Sequence, residues 1–323
     1  MVADFRIIEA NGLKHRVALS GPDFGPLVLL VHGFPESWYS WRHQMRALGE
    51  AGYRVAAPDV RGYGGTDKPS EIAAYAIEPL AADVAAIAGA LSPEAPAVIA
   101  GHDWGAPIAW TSALAHPDRF RAVCGMSVPH IPPGGKPGID VFKEVFTDQG
   151  RFFYIVYFQD EGVAEAELEA EPGATIRKFY YAISGDAPDG TWPLDKKHGE
   201  RMLTGLPEPE MPLPWLSVED VDYYAGQFAV SGYRGPLNRY RNSRNDHAYL
   251  TSLPSQTIHQ PSLFIGGTKD PVLSFYPGDP IEAMRPYLAD LRSVHLLEGC
   301  GHWTQQERPE QVSALMLDWL KGL

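Results

Sequence analysis

Apolar positions alternate between two spacings over the first part of the chain. Phe5 to Ala10 and Lys14 to Ser20 flank Asn11-Gly12, which predicts an opening antiparallel hairpin. Leu27 to Val31 is a continuous apolar run, the pattern of a strand buried on both faces. A helix is predicted over Trp41 to Glu50, and a strand over Tyr53 to Ala57. Leu80, Val84, Ile87 and Leu91 are helically spaced and lead into the short apolar run Ala97-Val98-Ile99-Ala100. Ala106, Ala109, Trp110, Ala113 and Leu114 then fall on one helical face, and Ala122 to Val128 reads as the next strand. Strands alternating with helices predict an α/β fold, a mostly parallel sheet flanked by helices.

From about Pro129 to Pro254 this rhythm is lost. The stretch is rich in Pro, Gly and aromatic residues, and helices are predicted near Val141–Phe158, Val163–Glu169 and Val218–Val230. The rhythm then returns: a strand over Pro261 to Gly266, a helix over Pro280 to Leu291, a strand over Arg292 to Leu297, and a closing helix that starts at Pro309. A separate C-terminal domain does not fit that return. The expectation is a core of residues 1–130 and 255–323, with residues 131–254 inserted as a mainly helical lid.

Composition narrows the function classes. The 323 residues are 45% hydrophobic and carry a formal net charge of −13, which argues against nucleic-acid binding and against an anionic membrane surface. Met1 to Ala10 holds no basic region followed by an apolar run, and no run reaches membrane-spanning length, so a cytoplasmic protein is expected. The two cysteines, Cys124 and Cys300, sit in or beside apolar runs and read as buried free thiols. No metal-ligand spacing and no phosphate-cradling glycine loop is present, so no cofactor is expected. A homodimer is the one macromolecular partner expected.

The chemistry starts at Gly101-His102-Asp103-Trp104-Gly105, between a predicted strand and a predicted helix. A reactive side chain on a tight strand-to-helix turn, flanked by glycines because the tip is crowded, is a nucleophile elbow. The usual elbow presents serine; here the residue is Asp103. Taken alone, the segment reads equally well as an ordinary turn with a helix-capping Asp. Two later loops change that. Gly266-Gly267-Thr268-Lys269-Asp270-Pro271 follows one predicted strand, and Gly299-Cys300-Gly301-His302-Trp303 follows the next. Nucleophile, acid and histidine, each at a strand end, come in the α/β-hydrolase order. The loop His32-Gly33-Phe34-Pro35 is the kind that brings a backbone N–H beside the elbow.

With these motifs the chain resembles the epoxide hydrolases of the α/β-hydrolase superfamily, the soluble type with an aspartate nucleophile. The resemblance rests on His32-Gly33-Phe34-Pro35, Arg61-Gly62-Tyr63-Gly64, the Asp103 elbow, and Cys300-Gly301-His302-Trp303-Thr304-Gln305. Two segments of the expected lid are more specific: Tyr154-Ile155-Val156-Tyr157-Phe158-Gln159, and Gly232-Tyr233-Arg234-Gly235-Pro236-Leu237-Asn238-Arg239-Tyr240-Arg241-Asn242. Arg239 departs from the aromatic residue that many members carry there.

The resemblance implies cofactor-free conversion of a small hydrophobic epoxide and water into a vicinal diol. A carboxylate suits this chemistry. Its unperturbed pKa is about 3.9, so it is anionic at neutral pH without a base. It attacks an sp³ carbon to give an ester that water can cleave, whereas a serine would leave a stable ether. His302, oriented by Asp270, is expected to activate that water, with the N–H groups of Phe34 and Trp104 taking the oxyanion. His302 must be neutral in this step, so activity should fall at acid pH. The resemblance assigns Tyr154 and Tyr240 as the acids at the epoxide oxygen, since phenols are protonated at neutral pH. Tyr157 is assigned to the core, and His32, Asp59, Arg61 and His102 to structural roles. Two alternatives stand beside this reading. One is a haloalkane dehalogenase with the same nucleophile, which the phenols of the lid and Phe34 in the oxyanion loop argue against. The other is a non-catalytic binder of apolar ligands.

Overall fold

The computed structural model describes residues 4–193, 195–276 and 278–323. The start of the chain, read above as carrying no secretory signal, lies partly outside them. Among the described residues no helix is long and apolar enough to cross a membrane.

Eight strands form one sheet: β1 (Asp4–Ala10), β2 (Leu13–Ser20), β3 (Leu27–Val31), β4 (Arg54–Pro58), β5 (Ala97–His102), β6 (Phe120–Met126), β7 (Ser262–Gly267) and β8 (Leu291–Leu297). Their order is β1-β2-β4-β3-β5-β6-β7-β8. The first two pairings are antiparallel, β1 on β2 and β2 on β4; the rest are parallel. The opening hairpin turns where predicted, with Asn11 and Gly12 both at positive φ, as a two-residue hairpin turn requires.

Alternate residues of the central strands feed two separate cores. Leu27, Leu29, Val31 and Ile99 pack with the helix Ile77–Leu91 and the helix Gly105–Ala115 on one face. Val28, Leu30, Val98 and Ala100 pack with the helix Arg42–Glu50 and the helix Pro309–Lys321 on the other. This explains why β3 and β5 read as unbroken apolar runs: both faces are covered. Cys124, on β6, and Cys300 are buried free thiols.

Between β6 and β7 the regular elements among the described residues are helices and isolated bridges, and the aromatics there form a third core around Tyr180, Tyr224, Phe228 and Tyr233 that takes in Phe34 and Trp303. Three expectations need correction. The helix predicted over Val141–Phe158 is broken into Gly138–Val145, a single 3-10 turn, and Tyr154–Tyr157. Gly150, at φ 71, leaves the helical region, and Phe152 N–H bonds instead to the Lys196 carbonyl. The helix predicted over Pro280–Leu291 ends at Met284, passes through a 3-10 turn, and yields to a bridge between Leu288 and Ile258. Pro286 lacks the N–H that would continue the helix. The strand read over Ala122–Val128 lies two residues earlier, because Phe120 pairs with Ala97. The helices Pro172–Ala182, Arg234–Tyr240 and Ser243–Ser252 were not foreseen; all are short or lack a clean apolar stripe.

Candidate active site

Four loops meet at the carboxyl ends of the parallel strands. The loop after β3 brings Phe34, the loop after β5 Asp103, the loop after β7 Asp270 and the loop after β8 His302. In a parallel sheet this is where a ligand cleft forms.

Asp103 sits at the tip of the β5 turn at φ 49, a left-handed conformation that costs an L-residue ~1–3 kcal/mol. The turn is possible only because its neighbours are glycine. A Cβ on Gly101 would lie 1.9 Å from the Gly105 carbonyl oxygen, and one on Gly105 2.0 Å from the Val31 carbonyl oxygen. A Cβ on Gly33 would lie 2.4 Å from Asp103 Oδ1.

The two oxygens of Asp103 have different surroundings. Oδ1 accepts the Phe34 backbone N–H at 2.8 Å. Oδ2 lies 3.4 Å from His302 Nε2. Trp104 opens the helix Gly105–Ala115, so its N–H belongs to the first turn, whose donors have no intrahelical partner. Burial alone would raise the Asp103 carboxyl. The hydrogen bond and charge of His302, the charge of His102 and the Phe34 N–H outweigh it and hold the carboxyl below its ordinary value. On its other side, His302 Nδ1 faces Asp270 at 3.0 Å. Burial would depress the His302 imidazolium, yet the charge of Asp270 and the hydrogen bonds to Asp103 and Asp270 raise it well above the ordinary histidine value.

Tyr154 and Tyr240 come from different helices, Tyr154–Tyr157 and Arg234–Tyr240, and converge on this point. Their ring centroids are 6.0 Å apart. With Asp103, His302, Phe34 and Trp192 they line one narrow cavity. Burial first, and the Asp103 charge second, push both phenols well above the ordinary tyrosine value, so both stay protonated. Tyr157 is not part of this cavity; half-buried, it donates its hydroxyl to Glu167 at 2.8 Å. Arg239 lies under the site: its guanidinium is 4.4 Å from the Trp104 ring, paired with Asp246 and donating to the Tyr75 carbonyl. His32 bridges Gly33 and Val60, and Asp59 and Arg61 hold their loops through Arg16, Trp38 and Asp83.

Two buried carboxylates escaped the sequence reading. Glu36 accepts the Gly33 N–H, faces His102 Nδ1 at 2.9 Å and takes the Gln305 amide, tying the loops of β3, β5 and β8 together. Glu307 accepts three backbone N–H groups around His302. Each lies within five residues of a singled-out motif, but nothing in the sequence beside it, Pro35 and Ser37 in one case and Gln306 and Arg308 in the other, sets it apart. Among the described residues no cluster of His, Cys, Asp or Glu could hold a metal ion.

The strand order and the strand-end constellation define a hydrolase of the α/β type, and the profile described as alpha/beta hydrolase fold matches residues 26–186. Relatives matched over nearly all of this chain are more specific. Epoxide hydrolase A of Mycobacterium tuberculosis is 43% identical, over 98% of this chain and 97% of that protein. Bifunctional epoxide hydrolase 2 of Rattus norvegicus is 39% identical, over 92% of this chain and 52% of that protein. The crystal structure of epoxide hydrolase A from Mycobacterium thermoresistibile superposes with a TM-score of 0.93 at 41% identity, covering 100% of this chain and 99% of that one. The chain belongs to the epoxide hydrolase family of the α/β-hydrolase fold.

Proposed function

We propose that this protein opens a hydrophobic epoxide to a vicinal diol in two steps, through an ester on Asp103. Asp103 Oδ2 attacks an epoxide carbon from the side opposite the breaking C–O bond. Tyr154 and Tyr240 donate to the epoxide oxygen, and a proton passes from a phenol to the forming alkoxide. The product of this step is an ester that keeps Oδ1 as its carbonyl oxygen. His302 Nε2 then takes a proton from water as that water attacks the Asp103 carboxyl carbon. Negative charge builds on Oδ1, where the N–H groups of Phe34 and Trp104 receive it. Collapse of the tetrahedral intermediate breaks the Cγ–Oδ2 bond; the His302 imidazolium gives its proton to the departing diol oxygen, and the second water proton returns to the phenolate, which restores the carboxylate, the neutral histidine and the phenol. Asp270 orients His302 and stabilises its imidazolium form.

The observation that carries this reading is the division of labour between the two Asp103 oxygens: one rests against a backbone donor, the other faces histidine. The aromatic lining of the cavity supports an apolar substrate. Residues 131–254 act as the lid. In support, most regular structure described in this segment is helical, and two of its helices supply Tyr154 and Tyr240.

The test is a single variant. His302→Gln, incubated with an aromatic or aliphatic epoxide, should accumulate one substrate mass on the peptide that carries Asp103. An unmodified peptide, under conditions where the wild type turns over, rejects the covalent route.

A further inference from the structure

Glu307 is a buried carboxylate that the two steps above do not use. It closes the single helical turn Thr304–Glu307 that follows His302. Its Oε2 accepts the N–H of Gly301 at 2.8 Å and of Gly185 at 2.9 Å; its Oε1 accepts the N–H of Trp303 at 3.0 Å. Gly301 and Trp303 are the two neighbours of His302, and Gly185 belongs to the lid. Among the described residues no Lys or Arg forms a salt bridge with Glu307, so its charge is met by backbone donors.

The lid and the histidine loop are pressed together at this point. A Cβ on Gly301 would lie 2.3 Å from Gly185 N, and one on Gly185 2.1 Å from the Gly299 carbonyl oxygen. The His302 N–H donates to the Ile183 carbonyl at 2.9 Å, the Trp303 indole to the Tyr180 carbonyl at 2.8 Å, and Lys269 to the Gly185 carbonyl at 3.1 Å. One carboxylate therefore gathers N–H groups from both sides of the seam. Bonds from N–H groups to a carboxylate are stronger than those to a neutral acceptor, and burial keeps water from replacing them.

We propose that Glu307 is a positioning residue for ester hydrolysis: it locks the His302 loop onto the lid and so sets the imidazole against the Asp103 ester. The proposal rests on the two-step reading. It predicts a far larger effect on ester hydrolysis than on alkylation, because the Asp103 backbone is held by its own turn and its Oδ1 by the Phe34 N–H, neither of which Glu307 touches. A shift of about 1 Å in a catalytic group costs on the order of 10²-fold in rate.

Glu307→Gln turns an amide NH₂ toward at least one of the three N–H groups. Rapid-quench single-turnover assays, with the mass of the Asp103 peptide followed in time, separate the steps. The expected result is ester hydrolysis slowed by about 10²-fold, alkylation within a few-fold of wild type, and accumulated adduct. Glu307→Asp, which keeps charge and both acceptors, should recover part of the loss. Equal loss in both steps, or no loss in either, overturns the proposal. If Glu307→Gln does not fold, Glu307→Asp carries the same test: slower hydrolysis at unchanged alkylation supports it, and equal loss overturns it. His302→Gln run alongside distinguishes the two levels. Adduct with His302→Gln but none with either Glu307 variant rejects the role of Glu307 alone; adduct with none of them rejects the two-step reading.

Discussion

His302 Nε2 stands 3.4 Å from Asp103 Oδ2, while Oδ1 of the same carboxylate accepts the Phe34 N–H at 2.8 Å. The imidazole thus meets the oxygen that would carry the substrate, and the backbone donor meets the oxygen that would carry the negative charge.

Gly33→Ala should disable the enzyme while leaving it folded. The added methyl would lie 2.4 Å from both Cβ and Oδ1 of Asp103, so the carboxylate must leave its donor. Loss of one oxyanion donor costs ~10²–10³ in rate. The measurements are kcat and circular dichroism; a native spectrum with native kcat contradicts the placement of Oδ1.

The acid limb of the pH profile should belong to the second step. Asp103 is held below its ordinary value, so alkylation persists as pH falls. His302 is active only when neutral, and Asp270 raises it, so hydrolysis fails first on acidification. Once Asp103 is esterified its charge is gone, which removes one of the groups that raise His302 and favours the neutral base. The fraction of enzyme carrying adduct at steady state should rise as pH is lowered. A fall in rate with no adduct contradicts this.

Tyr154→Phe and Tyr240→Phe should each slow alkylation, by ~10²-fold or more if one phenol supplies most of the proton transfer, with little change in ester hydrolysis. Because burial and the Asp103 charge keep both phenols protonated, no alkaline limb from them is expected below pH 10.0. Stopped-flow fluorescence and quench data test both points. Equal slowing of the two steps removes the acid role.

Arg239 and Asp246 form a buried pair beneath Trp104, and Asp246 also accepts the Ile77 N–H at 2.7 Å. Arg239→Ala leaves the carboxylate without its cation and should cost about 3–5 kcal/mol in urea unfolding. Arg239→Leu combined with Asp246→Leu should lose less than the two single changes summed. Strict additivity contradicts coupling between them.

The elbow, the β3 loop and the two loops after β7 and β8 were legible in sequence because each is local: an apolar run sets the strand, and the glycines after it set the turn. The two cores were legible for the same reason. The helical segment between β6 and β7 was less so. Its helices are short, its aromatics face the third core from several directions, and Gly150 leaves the helical region where apolar spacing alone continues it; between β7 and β8, Pro286 does the same to the helix that starts at Pro280. No spacing rule singles out Tyr154 and Tyr240 from the other tyrosines; only the resemblance of both segments did. Glu36 and Glu307 were invisible because what marks them is the set of backbone N–H groups they accept, which sequence spacing does not reveal.

A single turnover in heavy-oxygen water, with enzyme in excess, tests the central claim most directly. The diol formed should carry only light oxygen, and the label should appear in the Asp103 carboxyl group. Label in the first diol, with an unlabelled Asp103, would mean that water attacks the epoxide itself and that no ester forms.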